Sequence, residues 1–190
     1  YPIWVEPEVP DFDLTAAAVT ALCGRFSLKA LWWRYDPVIF SSNLTPDWHV
    51  ENFTMLCQRV LGGKTNRVII SLAHVDGSYR GIKPHLEREF AAHDDFFRPE
   101  GHDEFVELAA NLAVIARNYG IELEICCSPI ITTDDSKRYS IRQGECISRR
   151  ALEELGVTPP SRQKSTRKGD GVHYGPCGCL ASTAIANSFS

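Results

Sequence analysis

Arg34 and Asp36 stand two residues apart in Trp32-Trp33-Arg34-Tyr35-Asp36-Pro37, a run that reads as the end of a strand. Side chains alternate across a strand, so this pair shares one face while Trp33 and Tyr35 take the other. Parallel α/β proteins place their sites at the C-terminal ends of strands. A guanidinium beside a carboxylate there can orient a polar substrate. The same spacing equally makes a salt bridge that closes the mouth of a barrel. His74 and Asp76 repeat the arrangement after a second apolar run. An imidazole with an orienting carboxylate makes a general base, while the adjoining Gly77 equally suits a solvated turn. His49, His85, His93, His102 and His173 stand mostly among polar and charged residues and read as solvated.

The cysteines are the second source of chemistry. There are seven, with no signal peptide to suggest an oxidising compartment, and the later ones cluster between Cys126 and Cys179. Cys23 and Cys57 fall on apolar helix faces and read as small core residues. Cys126 ends a strand, Cys146 precedes a helix, and Cys177-Gly178-Cys179 places two thiols across one glycine. Thiolates in fours suit an iron–sulfur cluster or zinc, so these four are the candidate metal ligands. The competing reading is that Cys126 is core and the tail is loose.

Elements must hold these residues in place. Helices are expected near residues 14–23, 47–61, 82–92, 103–119 and 147–155, with Asp13 and Asp47 at the first two starts and glycines at the ends. Strands are expected near 30–35, 67–73 and 121–126. The run Val68-Ile69-Ile70-Ser71-Leu72-Ala73 reads as a strand buried on both faces. This alternation predicts an α/β fold: a partial (β/α) barrel of parallel strands over residues 1–128. A cysteine-bearing C-terminal appendage over 129–190 is expected to pack on it.

The bulk composition agrees. The chain has 190 residues, 44% of them hydrophobic and 23% charged, with a net charge of -4. Those values suit one globular domain and give no overall positive field for nucleic acid. No apolar stretch is long enough to span a membrane. A soluble, cytoplasmic protein is expected. Both ends look cut, which predicts a fragment of a longer protein.

The quoted residues also carry a resemblance. Trp33-Arg34-Tyr35-Asp36-Pro37-Val38-Ile39, Asp47 and His49 with Glu51-Asn52-Phe53, and Val68-Ile69-Ile70-Ser71 recur in order. Tyr119-Gly120-Ile121-Glu122-Leu123 with Cys126, Gly144-Glu145-Cys146-Ile147 and Cys177-Gly178-Cys179 follow. Together they resemble the bacterial domain-of-unknown-function family numbered eighteen forty-eight, over essentially the whole chain. The resemblance implies a barrel related to radical-SAM enzymes, ending in a C-x-x-x-C-x-x-C cluster that would begin after Ser190. S-adenosylmethionine would then be a cofactor of the full-length protein only.

Three functions follow as expectations. The first is an iron–sulfur protein of radical-SAM-like architecture that positions an unknown substrate through Arg34 and Asp36. The second is a zinc-stabilised module that binds nucleic acid or a protein partner through the basic stretch 162–168. The third is a metal-independent hydrolase using His74 and Asp76.

Overall fold

Helices begin where the chain supplies acceptors for otherwise unpaired N–H groups. The computed structural model describes residues 1–6, 8–27, 30–73, 83–93, 102–126, 133–144 and 149–158. Helix α1 spans Phe12–Cys23, and its cap is Asp11 rather than Asp13, with Oδ1 accepting from Leu14 N at 2.8 Å. Helix α2 spans Pro46–Leu56 and is capped by Thr45, whose hydroxyl accepts from Trp48 N at 3.1 Å. Pro46 opens that helix, where its missing N–H costs nothing. One wider π-helical turn, Cys57–Leu61, prolongs α2 up to Gly62.

Helices α3 (Lys83–His93), α4 (His102–Asn118), α5 (Thr133–Tyr139) and α6 (Arg149–Glu154) follow. Gly120 ends α4 in the left-handed region, at φ 69°, a conformation glycine adopts without steric cost. The chain can then close back, with Ile121 N donating to Ala116 O at 3.0 Å.

The strands are β1 (Trp32–Val38), β2 (Arg67–Leu72), β3 (Glu122–Cys126) and β4 (Arg142–Gly144). They pair in chain order, all parallel, as the alternation predicts. Register runs Arg34↔Ile69↔Glu124↔Arg142 across the sheet. β1 does not stop at Asp36 but continues through Pro37 to Val38. Pairing with β2 passes from Tyr35↔Ile70 to Val38↔Leu72, so β1 carries one extra residue there. β4 and α5 carry the sheet and its helical layer past residue 128. The sequence did not announce either, because Arg142-Gln143-Gly144 has no apolar residue to mark a strand. Among the described residues the sheet is open and is not closed into a barrel.

Helices α2, α4 and α5 pack side by side on one face. That face carries the apolar core. Tyr35, Val68, Ile70, Leu123 and Ile125 meet Phe53, Leu56, Phe105, Leu108 and Leu112. Each fully buried Leu, Ile or Phe contributes roughly 1.5–3 kcal/mol. Cys57 lies in this core, and burial pushes its thiol up to about 12. Cys23 is half-buried, and its thiol donates to Lys64 O at 3.0 Å. Cys57 is a core residue, as its helix face predicts, and Cys23 packs against the edge of the core.

Alternation sends the other residues to the opposite face: Trp32, Arg34 and Asp36; Arg67, Ile69 and Ser71; Glu122, Glu124 and Cys126. Helix α6 brings Arg150 and Glu154 over the N-terminal half of that face.

Candidate site at the C-terminal rim of the sheet

Asp36 and Arg34 occupy one face of β1, and Asp36 lies near its C-terminal end. The Asp36 side chain is 1% exposed and that of Arg34 37%. One carboxylate oxygen, Oδ2, accepts from Arg34 Nε at 2.9 Å and also from Arg34 Nη2. The other oxygen, Oδ1, accepts from the Ser71 hydroxyl on β2. Both oxygens of Asp36 are therefore occupied, and its role is to hold the guanidinium at a set angle. Arg34 also lies within hydrogen-bonding reach of Cys126, the last residue of β3. Burial opposes the charge on Arg34, yet Asp36 and Cys126 together outweigh it and keep the guanidinium protonated.

Three neighbouring strands thus contribute to one rim: Arg34 and Asp36 from β1, Ser71 from β2, and Cys126 from β3. Ser71 was not singled out from the sequence. Its signal was present, as the only polar residue in the apolar run Val68–Ala73. A guanidinium fixed by a buried carboxylate, with part of its fork facing solvent, can bind a carboxylate or phosphate.

A second polar group lies behind the rim, on the helix-covered side. His49 is wholly buried, which corrects the expectation that it is solvated. The reason is helical spacing: His49, Phe53 and Leu56 form the inward stripe of α2. His49 Nε2 lies 2.9 Å from Ile39 O, and Nδ1 lies 2.8 Å from Tyr35 Oη. A carbonyl can only accept, so Nε2 carries the proton and Nδ1 accepts from Tyr35. Asn52 Nδ2 in turn donates to Tyr35 Oη at 3.3 Å. Burial lowers His49 to about 4 despite its bond to Ile39 O. The ring is neutral. Burial likewise raises the Tyr35 hydroxyl above its ordinary range, so it stays a donor.

A third group fills the N-terminal half of the face. Arg67 Nη2 donates to both oxygens of Glu154, at 3.2 and 3.1 Å. Arg150 Nη2 donates to Glu124 at 2.7 Å and Glu122 at 2.6 Å, and Arg142 Nε donates to Glu122 at 2.6 Å. Burial tends to raise Glu122, but Arg150 and Arg142 prevail and hold its carboxyl below the usual range. Three arginines face three glutamates, so the group is neutral and reads as structural.

Among the other residues proposed from sequence, His74, Asp76, Cys146, Cys177 and Cys179 lie outside the described residues, as does the basic stretch 162–168. Cys126 is 6% exposed and stands at the rim. Among the described residues, no three His, Cys, Asp or Glu side chains gather closely enough to hold a metal ion. No helix among them is long and apolar enough to cross a membrane.

A family model described as a domain of unknown function (DUF1848) matches residues 1–188. The chain belongs to the DUF1848 family. No curated protein and no solved structure matches it. In this DUF1848 chain, two stretches that carried the resemblance form one physical unit. His49 and Asn52 of α2 both bond the hydroxyl of Tyr35, the residue that stands between Arg34 and Asp36 in sequence.

Proposed function

We propose that this chain holds an iron–sulfur cluster through Cys126, Cys146, Cys177 and Cys179, beside a substrate site at the rim formed by Arg34 and Asp36. The observation that supports it most is the position of Cys126. Its thiol ends β3 in the same rim as Asp36 and Ser71, within reach of the Arg34 guanidinium. A neighbouring cation favours the thiolate that a metal ligand must be. This one ligand fits the group, and the other three thiols are assigned by the sequence. When bound, such a cluster supplies or relays electrons at the mouth of the sheet.

The chain's own residues bind and orient. Asp36 and Ser71 fix Arg34, and Arg34 anchors an anionic group of the substrate. The wider architecture in this reading is part of a radical-SAM-like (β/α) barrel. Its support is the strand order, which equals chain order with helices α2, α4 and α5 along one face, as in singly wound barrels. Reduced thiolate ligands suit a cytoplasmic setting.

Anaerobic reconstitution with ferrous iron and sulfide tests the cluster. The expected product is brown, with broad visible absorbance, and loses iron in Cys126→Ser. A colourless protein containing stoichiometric zinc would replace this reading with the zinc-stabilised module that binds nucleic acid or protein. Neither metal after reconstitution would overturn both. His74 and Asp76 remain candidates for acid–base work. A metal-free protein with hydrolase activity that disappears in His74→Ala would favour the third reading.

A further inference from the structure

The backbone around Asp36 lacks regular support from the sheet. Pairing with β2 is interrupted between Tyr35 and Val38 by the extra residue of β1. Asp36 falls inside that interruption, and Pro37 has no N–H to donate. The position of Asp36 therefore depends on what holds residues 37–39.

Three elements do so. From β2's end, Ala73 N donates to Val38 O at 2.9 Å. From the N-terminal segment, the Tyr1 hydroxyl donates to Pro37 O at 2.7 Å and accepts from Ile39 N at 3.0 Å. From α2, His49 Nε2 donates to Ile39 O at 2.9 Å. His49 is itself clamped. Tyr35 Oη, one residue before Asp36, donates to Nδ1, and the rings of Tyr35, Phe40 and Trp48 surround the imidazole edge-on at 5.0–5.8 Å. The ring thus bonds the chain on both sides of Asp36, at Tyr35 and at Ile39.

We infer that His49 is a positioning residue for the rim: through Ile39 O and Tyr35 Oη it brackets Asp36 and so sets the angle at which Arg34 is presented. This rests on reading the rim as the functional site. Phenylalanine in its place would fill a similar volume but make neither bond. The two nitrogens are separable by substitution. Glutamine places an amide N–H near Nε2 and can keep the bond to Ile39 O. Asparagine places an acceptor near Nδ1 but is too short to reach Ile39.

The test follows the Arg34 Nε–H resonance in a ¹⁵N–¹H spectrum of the whole chain, assigned by its loss in Arg34→Lys. That proton is held by Asp36 in the native protein. The resonance is expected to shift only slightly in His49→Gln, which loses the Tyr35 bond but keeps that to Ile39 O, and to move further or broaden beyond detection in His49→Asn, while core methyl signals of Val68 and Ile70 stay put. An Arg34 resonance unmoved in a folded His49→Asn protein would overturn the inference. So would an equal disturbance in both variants, which would mean that the ring only fills space. If neither variant folds, Tyr35→Phe decides, because it removes one of the two bonds and keeps the ring. It is expected to shift the Arg34 resonance, and no shift would overturn the inference. None of these readouts uses a cluster or substrate, so a failed reconstitution sinks the proposed function without touching this result.

Discussion

Arg67 and Glu124 face each other across β2 and β3, with Nε and Oε1 3.1 Å apart and side chains only 2% and 1% exposed. The contact is an ion pair rather than an aligned hydrogen bond, and the Arg67 guanidinium also lies 5.3 Å above the ring of Trp32. Charges this deep are tolerated only because each has partners, and removing one leaves the other uncompensated. Glu124→Ala is therefore expected to cost about 3–5 kcal/mol. Urea denaturation followed by circular dichroism measures this. A loss below about 1 kcal/mol would show that Arg67 finds full compensation in Glu154.

Gly144 is the residue that lets Glu124 lie flat against β4. A Cβ at position 144 would stand 2.9 Å from Glu124 Oε2 and 3.0 Å from Glu124 Cβ. The second contact is to a rigid part of the side chain, so Glu124 cannot simply swing away. Gly144→Ala should destabilise by about 1–3 kcal/mol, the usual range for overpacking. Combined with Glu124→Ala it should cost less than it does alone, because the Oε2 contact disappears while the contact to the retained Cβ stays. A double-mutant cycle on melting data checks that coupling.

Arg34 and Asp36 form a pair in which only the carboxylate is deeply buried. Arg34→Ala leaves Asp36 with Ser71 alone, and should cost about 1–3 kcal/mol while the fold persists. Adding Asp36→Asn removes the unpaired charge and should restore much of that loss. Binding of an anionic ligand at the rim should vanish in both variants. Stability that does not recover in the double variant would argue against an unpaired-charge origin.

His49 should make stability depend on pH in a defined window. The folded ring titrates near 4 and an unfolded histidine near 6.5, so the unfolded chain takes up the proton first as pH falls. The contribution is complete above about pH 6.5 and is lost progressively towards pH 4, for a total of about 3 kcal/mol. Chemical denaturation at intervals across that window should show the slope. His49→Gln, which does not titrate, should flatten it. An unchanged slope would assign the effect to other groups.

Much of the architecture was legible in the sequence because it rests on local patterns. Apolar runs ending at Asp36, Ala73 and Cys126 marked three strands, and helical stripes such as Phe105, Leu108 and Leu112 marked the layer above them. Alternation along β1 alone sufficed to separate Arg34 and Asp36 from Trp33 and Tyr35. The tertiary structure decided what depends on neighbours distant in the chain. Ser71 joins the rim only because β2 lies beside β1, and Cys126 meets Arg34 only because β3 brings its last residue to the same edge. Glu122 and Glu124 alternate with apolar residues along β3, and only the packing of distant segments sets Arg67, Arg142 and Arg150 opposite them. His49 looked solvated among polar neighbours, because burial is set by the face of α2 that meets the sheet and not by the residues adjoining it in sequence. β4 escaped notice for the same reason. Three polar residues become a strand only when Glu124, Ile125 and Cys126 offer them a ladder to complete.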